Sequence, residues 1–334
     1  MAAPGRSPDE TPVSEFALIR TYFADLGASR ADVTLGVGDD CALLRVPPGQ
    51  ALAVSIDTLA CGVHFLPDCD PEALGHKCLA VNLSDLAAMG AEPAWATLAL
   101  TLPPELARAQ PDWLAAFARG FGTLARRHGV ALVGGDTTRG PLSVTVQVHG
   151  FVPAGAAIRR SGARAGDLVC VSGTLGDAGW ALRALLAGEL PEPRLRARLE
   201  RPEPRLALGH ALRGLATAMI DISDGLAADL GHILESSGVG AELDLAALPL
   251  SPAVAATGDW SLPLASGDDY ELCFCLPPEH AATLPAIAVR TGCPLAIVGR
   301  LHPGQGLVCR TADGQALAFG RAGFDHFPAG DSAS

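Results

Sequence analysis

Five short segments set acidic residues beside glycine or directly after an apolar run. They are Gly36-Val37-Gly38-Asp39-Asp40, Ile56-Asp57-Thr58, Gly134-Gly135-Asp136-Thr137, Ile220-Asp221-Ile222-Ser223-Asp224-Gly225 and Ser266-Gly267-Asp268-Asp269. Ligands of α/β proteins gather where strands end, so carboxylates repeated at such points suit a polyanion held through cations. Asp and Gly are also ordinary turn and cap residues, which is sufficient for any one segment taken alone. Asp85 is the sharper signal. It stands in the 73–89 stretch, where Leu74, Cys78, Val81, Leu83 and Leu86 leave hardly any polar face. A carboxylate in a helix buried on most sides must be paired, metal-bound or neutralised. Pairing with His76 or Lys77, two turns back, is the structural alternative.

Several carboxylates without a basic cluster favour hard divalent cations bound through oxygen, magnesium above all, which bridges to phosphates. The chain has no G-x-x-x-x-G-K-[ST] loop and neither a kinase-type Gly-rich loop nor an H-R-D sequence. Nucleotide chemistry here needs another scaffold.

The elements that must carry these residues follow from periodicity, which predicts helices over 14–27, 70–89, 111–128, 177–186, 206–215, 224–236 and 279–291. Strands are expected over 52–56, 95–102, 130–133, 143–152, 168–172, 241–245, 270–275 and 296–299, with a further short one running into Asp221. Asp70-Pro71-Glu72 has the composition of a helix start and Gly90 that of its stop. The Pro- and Arg-rich 190–205 stretch is expected as a connection, and the Gly-, Ala- and Arg-rich 155–167 stretch as a linker. Interleaved helices and strands define an α+β or α/β class with two domains, 14–154 and 155–328. A disordered leader over 1–13 and a tail over 329–334 are expected to flank them.

Composition narrows the class further. The 334 residues include 24 basic and 36 acidic ones, a net charge of −12, and Lys77 is the only lysine. That balance argues against nucleic-acid binding, which needs a basic face. No apolar run approaches the ~20 residues of a membrane helix. Nine cysteines without Cys-x-x-Cys spacing signal neither zinc nor a disulfide framework, and residues 1–13 lack an apolar signal region. A reduced, cytoplasmic protein is expected.

The same residues carry a family resemblance along nearly the whole chain. Its motifs are Ser14-Glu15-Phe16-Ala17-Leu18-Ile19, the Gly36 to Asp40 segment, Asp57-Thr58-Leu59-Ala60-Cys61-Gly62-Val63-His64-Phe65 and the 79–93 block around Asn82, Asp85 and Pro93. Gly134-Gly135-Asp136-Thr137-Thr138, Arg160-Ser161-Gly162, Asp221-Ile222-Ser223-Asp224-Gly225 and Asp268-Asp269-Tyr270-Glu271-Leu272 complete it. The chain resembles the thiamine-monophosphate kinases. Their superfamily also holds aminoimidazole ribonucleotide synthetase, selenophosphate synthetase and a hydrogenase-maturation protein.

The resemblance implies the two-domain aminoimidazole ribonucleotide synthetase-like fold, with an N-terminal sheet domain that dimerises and a C-terminal α/β domain. It implies direct transfer of the γ-phosphoryl of ATP onto thiamine monophosphate, giving thiamine diphosphate and ADP. Matching positions assign magnesium to Asp40, Asp57, Asp85, Asp136, Asp221 and Asp224, with the Ser55 hydroxyl joining them. ATP contacts fall on Gly135, Asp136, Arg160 and Ser223, and the thiamine side on His64, Asp268 and Phe324. Asp268 stands where the family pattern has Glu. No catalytic base is expected, because the acceptor phosphate is already ionised near neutral pH; metals and Arg160 position it. Two alternatives stay open, a related ATP-dependent synthetase and a noncatalytic nucleotide- or metal-binding maturation module.

Overall fold

The computed structural model describes residues 15–109 and 111–317. Its first strands are β1 (Val33–Leu35), β2 (Leu43–Leu44), β3 (Gln50–Ala60), β4 (Glu92–Leu102), β5 (Ala131–Arg139) and β6 (Ser143–Pro153). They are followed by β7 (Leu168–Ser172), β8 (Ala218–Asp221), β9 (Gly240–Asp244), β10 (Leu272–Leu276), β11 (Leu295–His302), β12 (Leu307–Arg310) and β13 (Ala316–Leu317). Among the described residues two compact units form: one takes 15–45, 56–79 and 95–147, the other 46–55, 80–94 and 148–317.

The chain enters through α1 (Glu15–Leu18), which widens into a π-helical turn at Ile19–Phe23. Helix α2 (Pro71–Ala88) begins where the sequence predicts, since the Asp70 carboxylate accepts the Ala73 N–H at 2.9 Å and Pro71 opens the first turn. Nearly every residue of α2 is buried, and Asp85 sits at one of its few half-open positions. Helices α3 (Pro104–Ala109) and α4 (Pro111–Arg127) carry the chain from β4 to β5, which lie parallel and require such a crossover. Glycines set the approach of α2 to α4. A Cβ on Gly75 would lie 2.1 Å from the Phe117 carbonyl oxygen, and one on Gly120 would lie 1.9 Å from that of Glu72.

One sheet has the order β3-β6-β4-β5, so β3 and β5 are its two edges. The other has seven strands in the order β13-β12-β9-β11-β7-β10-β8. In it β10 runs antiparallel to both β7 and β8, while β12 is parallel to β9. Helices α5 (Asp177–Leu186), α6 (Pro193–Glu200), α7 (Leu206–Leu212) and α8 (Leu226–Ser237) belong to the same unit. Val169, Val171, Ile220, Leu230, Ile233 and Leu243 sit at the centre of its core. The mixed sheets place the molecule in the two-domain α+β, α/β class expected.

Three local expectations fail. The 190–205 connection contains α6, whose Leu195 and Leu199 pack on Ala178 and Ala181 of α5. Two apolar residues four apart in an Arg-rich run are too short a pattern to announce a helix. Strand β5 does not stop at Val133 but pairs with β4 as far as Arg139, so Gly135 and Asp136 lie inside a strand. Asp57 likewise lies within β3 rather than at its end. In both cases Gly and Asp weaken strand propensity locally, and partner strands override it.

Candidate functional site

In the first unit, the 37–42 loop and the Val133 to Thr137 stretch of β5 face Phe16, Ile19, Arg20 and Phe23 across a cavity of about 610 Å³. That is the size of a nucleotide-class pocket. The cavity brings together Asp40, Gly135 and Asp136, three of the expected residues, and both carboxylates are exposed. Glycine is required at 135: with φ 154° its Cβ would lie 1.9 Å from the Leu98 carbonyl oxygen on β4. The sequence-based set omits Arg20, a cation on the wall of an otherwise acidic cavity.

Asp57 is not among the cavity residues. It sits half-buried on β3, the opposite edge of the sheet from Asp136, three strand spacings or about 14 Å away at ~4.8 Å per spacing. One ion cannot take both as ligands within a single sheet. Farther along, β3 turns into the segment bearing His64, whose Nδ1 accepts the Ala60 N–H at 3.0 Å. With Nδ1 accepting, the ring carries its proton on Nε2. Lys77 reaches the His64 carbonyl at 3.5 Å.

In the second unit Ser55 donates to Asp85 Oδ2 at 2.5 Å, and Ser84, one residue before Asp85, donates to Asp221 Oδ2 at 2.7 Å. Ser55, Asp85 and Asp221 are thereby gathered around two adjacent positions of α2. Asp221, only 5% exposed, ends β8 and starts the 221–225 loop. Among the described residues no three His, Cys, Asp or Glu side chains converge as a ready metal site.

The 221–225 loop is held from inside by Asp229, on the first turn of α8. Its Oδ2 accepts the backbone N–H groups of Ser223, Asp224 and Gly225 at 3.0, 3.0 and 3.1 Å. Burial, and then the like charge of Asp224, push the Asp229 carboxyl up to about 7 against those three bonds. Ser223 therefore has its hydroxyl, not its N–H, to offer a nucleotide. Sequence reasoning missed Asp229, although the signal matches that of Asp85: a carboxylate set among the buried Leu226, Ala227, Leu230 and Ile233.

The neighbouring 266–270 loop is strained. Asp268 and Tyr270 have φ of 62° and 49°, each costing on the order of 1–3 kcal/mol. Hydrogen bonds fix both, from the Asp268 N–H to the Ser223 carbonyl and from the Tyr270 N–H to the Ile222 carbonyl, each 2.8 Å. Beneath them Asp269 accepts the Gly176 N–H at 3.0 Å through both oxygens. Burial pushes its carboxyl well above the usual range, while the Gly176 N–H and the charge of Arg198 oppose the shift. Glu271, fully buried, accepts Arg205 at 2.5 and 2.7 Å, Arg198 at 2.7 Å and Ser172 at 2.5 Å. Burial works against the Arg205 charge, but Glu271 outweighs it and holds the guanidinium protonated. The 190–205 stretch thus supplies the arginines that anchor the 266–270 loop. Arg160 is exposed on a segment tied to β8 through the Met219 N–H and Arg159 carbonyl. Phe324 lies outside the described residues.

Fold and site define the class. The chain belongs to the AIR synthase related family: its N-terminal domain model matches residues 38–152 and its C-terminal domain model residues 164–311. Thiamine-monophosphate kinase of Salmonella typhimurium is 47% identical over 324 residues, 94% of this chain and 98% of that protein. The crystal structure of thiamine-monophosphate kinase from Stenotrophomonas maltophilia has a TM-score of 0.80 at 47% identity, covering 86% of this chain and 93% of that one. AaThiL complexed with AMPPCP and TMP has a TM-score of 0.74 at 33% identity, covering 87% and 92%. Within the class, the chain belongs to the thiamine-monophosphate kinase family.

Proposed function

We propose that this chain transfers the γ-phosphoryl of ATP to thiamine monophosphate, yielding thiamine diphosphate and ADP. The observation that carries this reading is 47% identity sustained over 94% of the chain. The acceptor is an ionised phosphate monoester, so no side chain need remove a proton before attack. The main barrier is bringing two polyanions into line.

The donor set fits magnesium: Asp40, Asp57, Asp85, Asp136, Asp221, Asp224 and the Ser55 hydroxyl offer oxygen only. Magnesium keeps several waters and binds through one or two carboxylates plus substrate phosphates. When bound, magnesium supplies charge neutralisation and orientation of the phosphates. On this reading Asp40 and Asp136 serve the cavity lined by Gly135, while Asp57, at the other sheet edge, serves a separate ion. Arg160 and the Ser223 hydroxyl contact ATP, and Arg160 adds a permanent cation that positions phosphate. To thiamine monophosphate this reading assigns His64, presenting Nε2–H, with Asp268 and Phe324.

The domain division at 154/155 belongs to the same proposal; the irregular 155–167 segment and the gap between the two family-model matches support it. So does a homodimer. On the edge strand β3, Leu52, Val54 and Ile56 alternate on one face and are 43%, 50% and 58% exposed, an apolar stripe suited to a second copy. A reducing, cytoplasmic setting agrees with nine free thiols. Among the described residues no helix is long and apolar enough to cross a membrane.

The test pairs calorimetry with a coupled ADP-release assay. Turnover of ATP that depends on thiamine monophosphate is expected. Binding of both ligands without ADP release would instead identify a noncatalytic module.

A further inference from the structure

We propose that Asp229 is a positioning residue: by gathering three backbone N–H groups it sets the 221–225 loop and, through that loop, the 266–270 loop, so that one buried carboxylate governs both ends of the reaction. The inference rests on the phosphoryl-transfer reading above, which places Asp221, Asp224 and Ser223 on the ATP and metal side and Asp268 on the acceptor side.

Successive backbone N–H groups turned to one point form a nest, a concavity that takes an anion. Here the anion is the protein's own. Asp229 is 2% exposed and fills the nest from the fourth residue of α8, reversing the usual direction of capping, in which a residue before the helix reaches forward. The N–H groups of residues 223–225 are thus fixed, and the carbonyls of the same trans peptide bonds, those of residues 222–224, are turned the other way. Those of Ile222 and Ser223 accept the Tyr270 and Asp268 N–H groups at 2.8 Å, and the Ile222 N–H returns to the Glu271 carbonyl at 2.8 Å.

The two loops touch too closely to move separately. A Cβ at Gly267, where φ is 68°, would lie 2.3 Å from the Ser223 carbonyl oxygen. Asp268 and Tyr270 keep their positive φ only while those carbonyls stay in place. Removing the Asp229 carboxylate leaves three inward N–H groups without their acceptor. The loop must then turn outward to water, carrying Asp224 and the partner of Asp268 with it. Partners behind metal ligands typically change metal affinity or activity by about 10–100-fold when lost.

The experiment compares the full-length parent, Asp229→Ala, Asp229→Asn and Ile233→Ala. The last is a truncation at a fully buried position one turn further along α8, whose apolar side chain can make no hydrogen bond to either loop. Amide hydrogen exchange in the 221–225 and 266–270 segments is read beside kcat, the KM for each substrate and the magnesium concentration for half-maximal rate. In the parent, the 223–225 amides are expected to be protected like the interior of α8. Asp229→Ala should speed exchange in both segments, lower kcat by about 10–100-fold and raise the magnesium requirement. Asp229→Asn keeps an acceptor oxygen and should recover part of each loss. Ile233→Ala should lose melting temperature with kcat and magnesium requirement unchanged. The proposal is overturned if the parent's 223–225 amides exchange at open-loop rates, or if Asp229→Ala behaves as Ile233→Ala does. Should Asp229→Ala fail to fold, Asp229→Asn decides, and exchange and magnesium requirement both matching the parent in it would contradict the proposal. A parent that makes no thiamine diphosphate would sink the functional reading alone, because the exchange data still judge the hold of Asp229 on both loops.

Discussion

The Ser55 hydroxyl donates to Asp85 Oδ2 at 2.5 Å, so the carboxylate that stands out in an apolar helix is met by a neutral donor rather than only by the basic residues of its own helix. A neutral hydroxyl does not by itself cancel a carboxylate charge, and that charge is what a cation ligand uses. Asp85→Asn keeps an oxygen that can accept the Ser55 hydroxyl and removes only the charge. Without magnesium the variant should therefore differ from the parent by less than about 1 kcal/mol, the net worth of one hydrogen bond. Its turnover should fall on the order of 100-fold, as for loss of one positioned electrostatic group. Thermal melts with and without magnesium and nucleotide, read beside steady-state rates, check this. A variant markedly destabilised without metal yet normal in turnover would make Asp85 structural.

Asp268 occupies a left-handed backbone conformation, φ 62°, which Asp tolerates better than longer side chains because its short carboxyl can bond locally. This offers a physical reason for Asp at a position where the resemblance leads one to expect Glu. Asp268→Glu extends the carboxylate by one methylene, about 1.5 Å. It should change the KM for thiamine monophosphate more than that for ATP and cost a few tenths of a kcal/mol or more in stability. A larger change in the ATP constant would place Asp268 on the other substrate.

Asp269 makes stability depend on pH in a direction opposite to most carboxylates. An unfolded Asp loses its proton near pH 3.9, whereas burial holds the folded carboxyl protonated to well above that. Between the two values the folded chain binds more protons, so stability falls as pH rises. Asp269→Asn cannot ionise and still accepts the Gly176 N–H through one oxygen. The melting temperature of the variant relative to the parent should rise from about pH 4 upward, with a slope of at most about 1.4 kcal/mol per pH unit. A difference that stays flat, or falls, over that range would mean the buried carboxyl is ionised in the folded protein.

Much of this architecture is legible in the residues. Periodicity alone predicts α5 over 177–186, as observed, and the start and stop composition of Asp70, Pro71 and Gly90 marks α2. Asp40, Gly135 and Asp136 meet in one cavity, and Ser55, Asp85 and Asp221 gather around α2. What stayed hidden depends on partners distant in sequence. Strand β5 continues through Gly134 and Gly135 only because β4 pairs with it, and α6 exists because α5 covers Leu195 and Leu199. Arg198 and Arg205 reach Glu271 from 73 and 66 residues away, so no local spacing announces them, whereas Asp229 carries the same local signal as Asp85, a carboxylate among apolar neighbours. The separation of Asp57 from Asp136 is a matter of strand order, which a list of motifs does not contain.

The proposed reaction is direct phosphoryl transfer to an acceptor that is already a phosphate and therefore needs no base. Phosphorus NMR of the purified protein with magnesium, ATP and either thiamine monophosphate or free thiamine tests it most directly. With thiamine monophosphate, paired diphosphate resonances of thiamine diphosphate should grow in step with ADP, without free phosphate; with free thiamine, the spectrum should remain that of ATP. Release of inorganic phosphate without thiamine diphosphate, or efficient phosphorylation of free thiamine, would contradict the account.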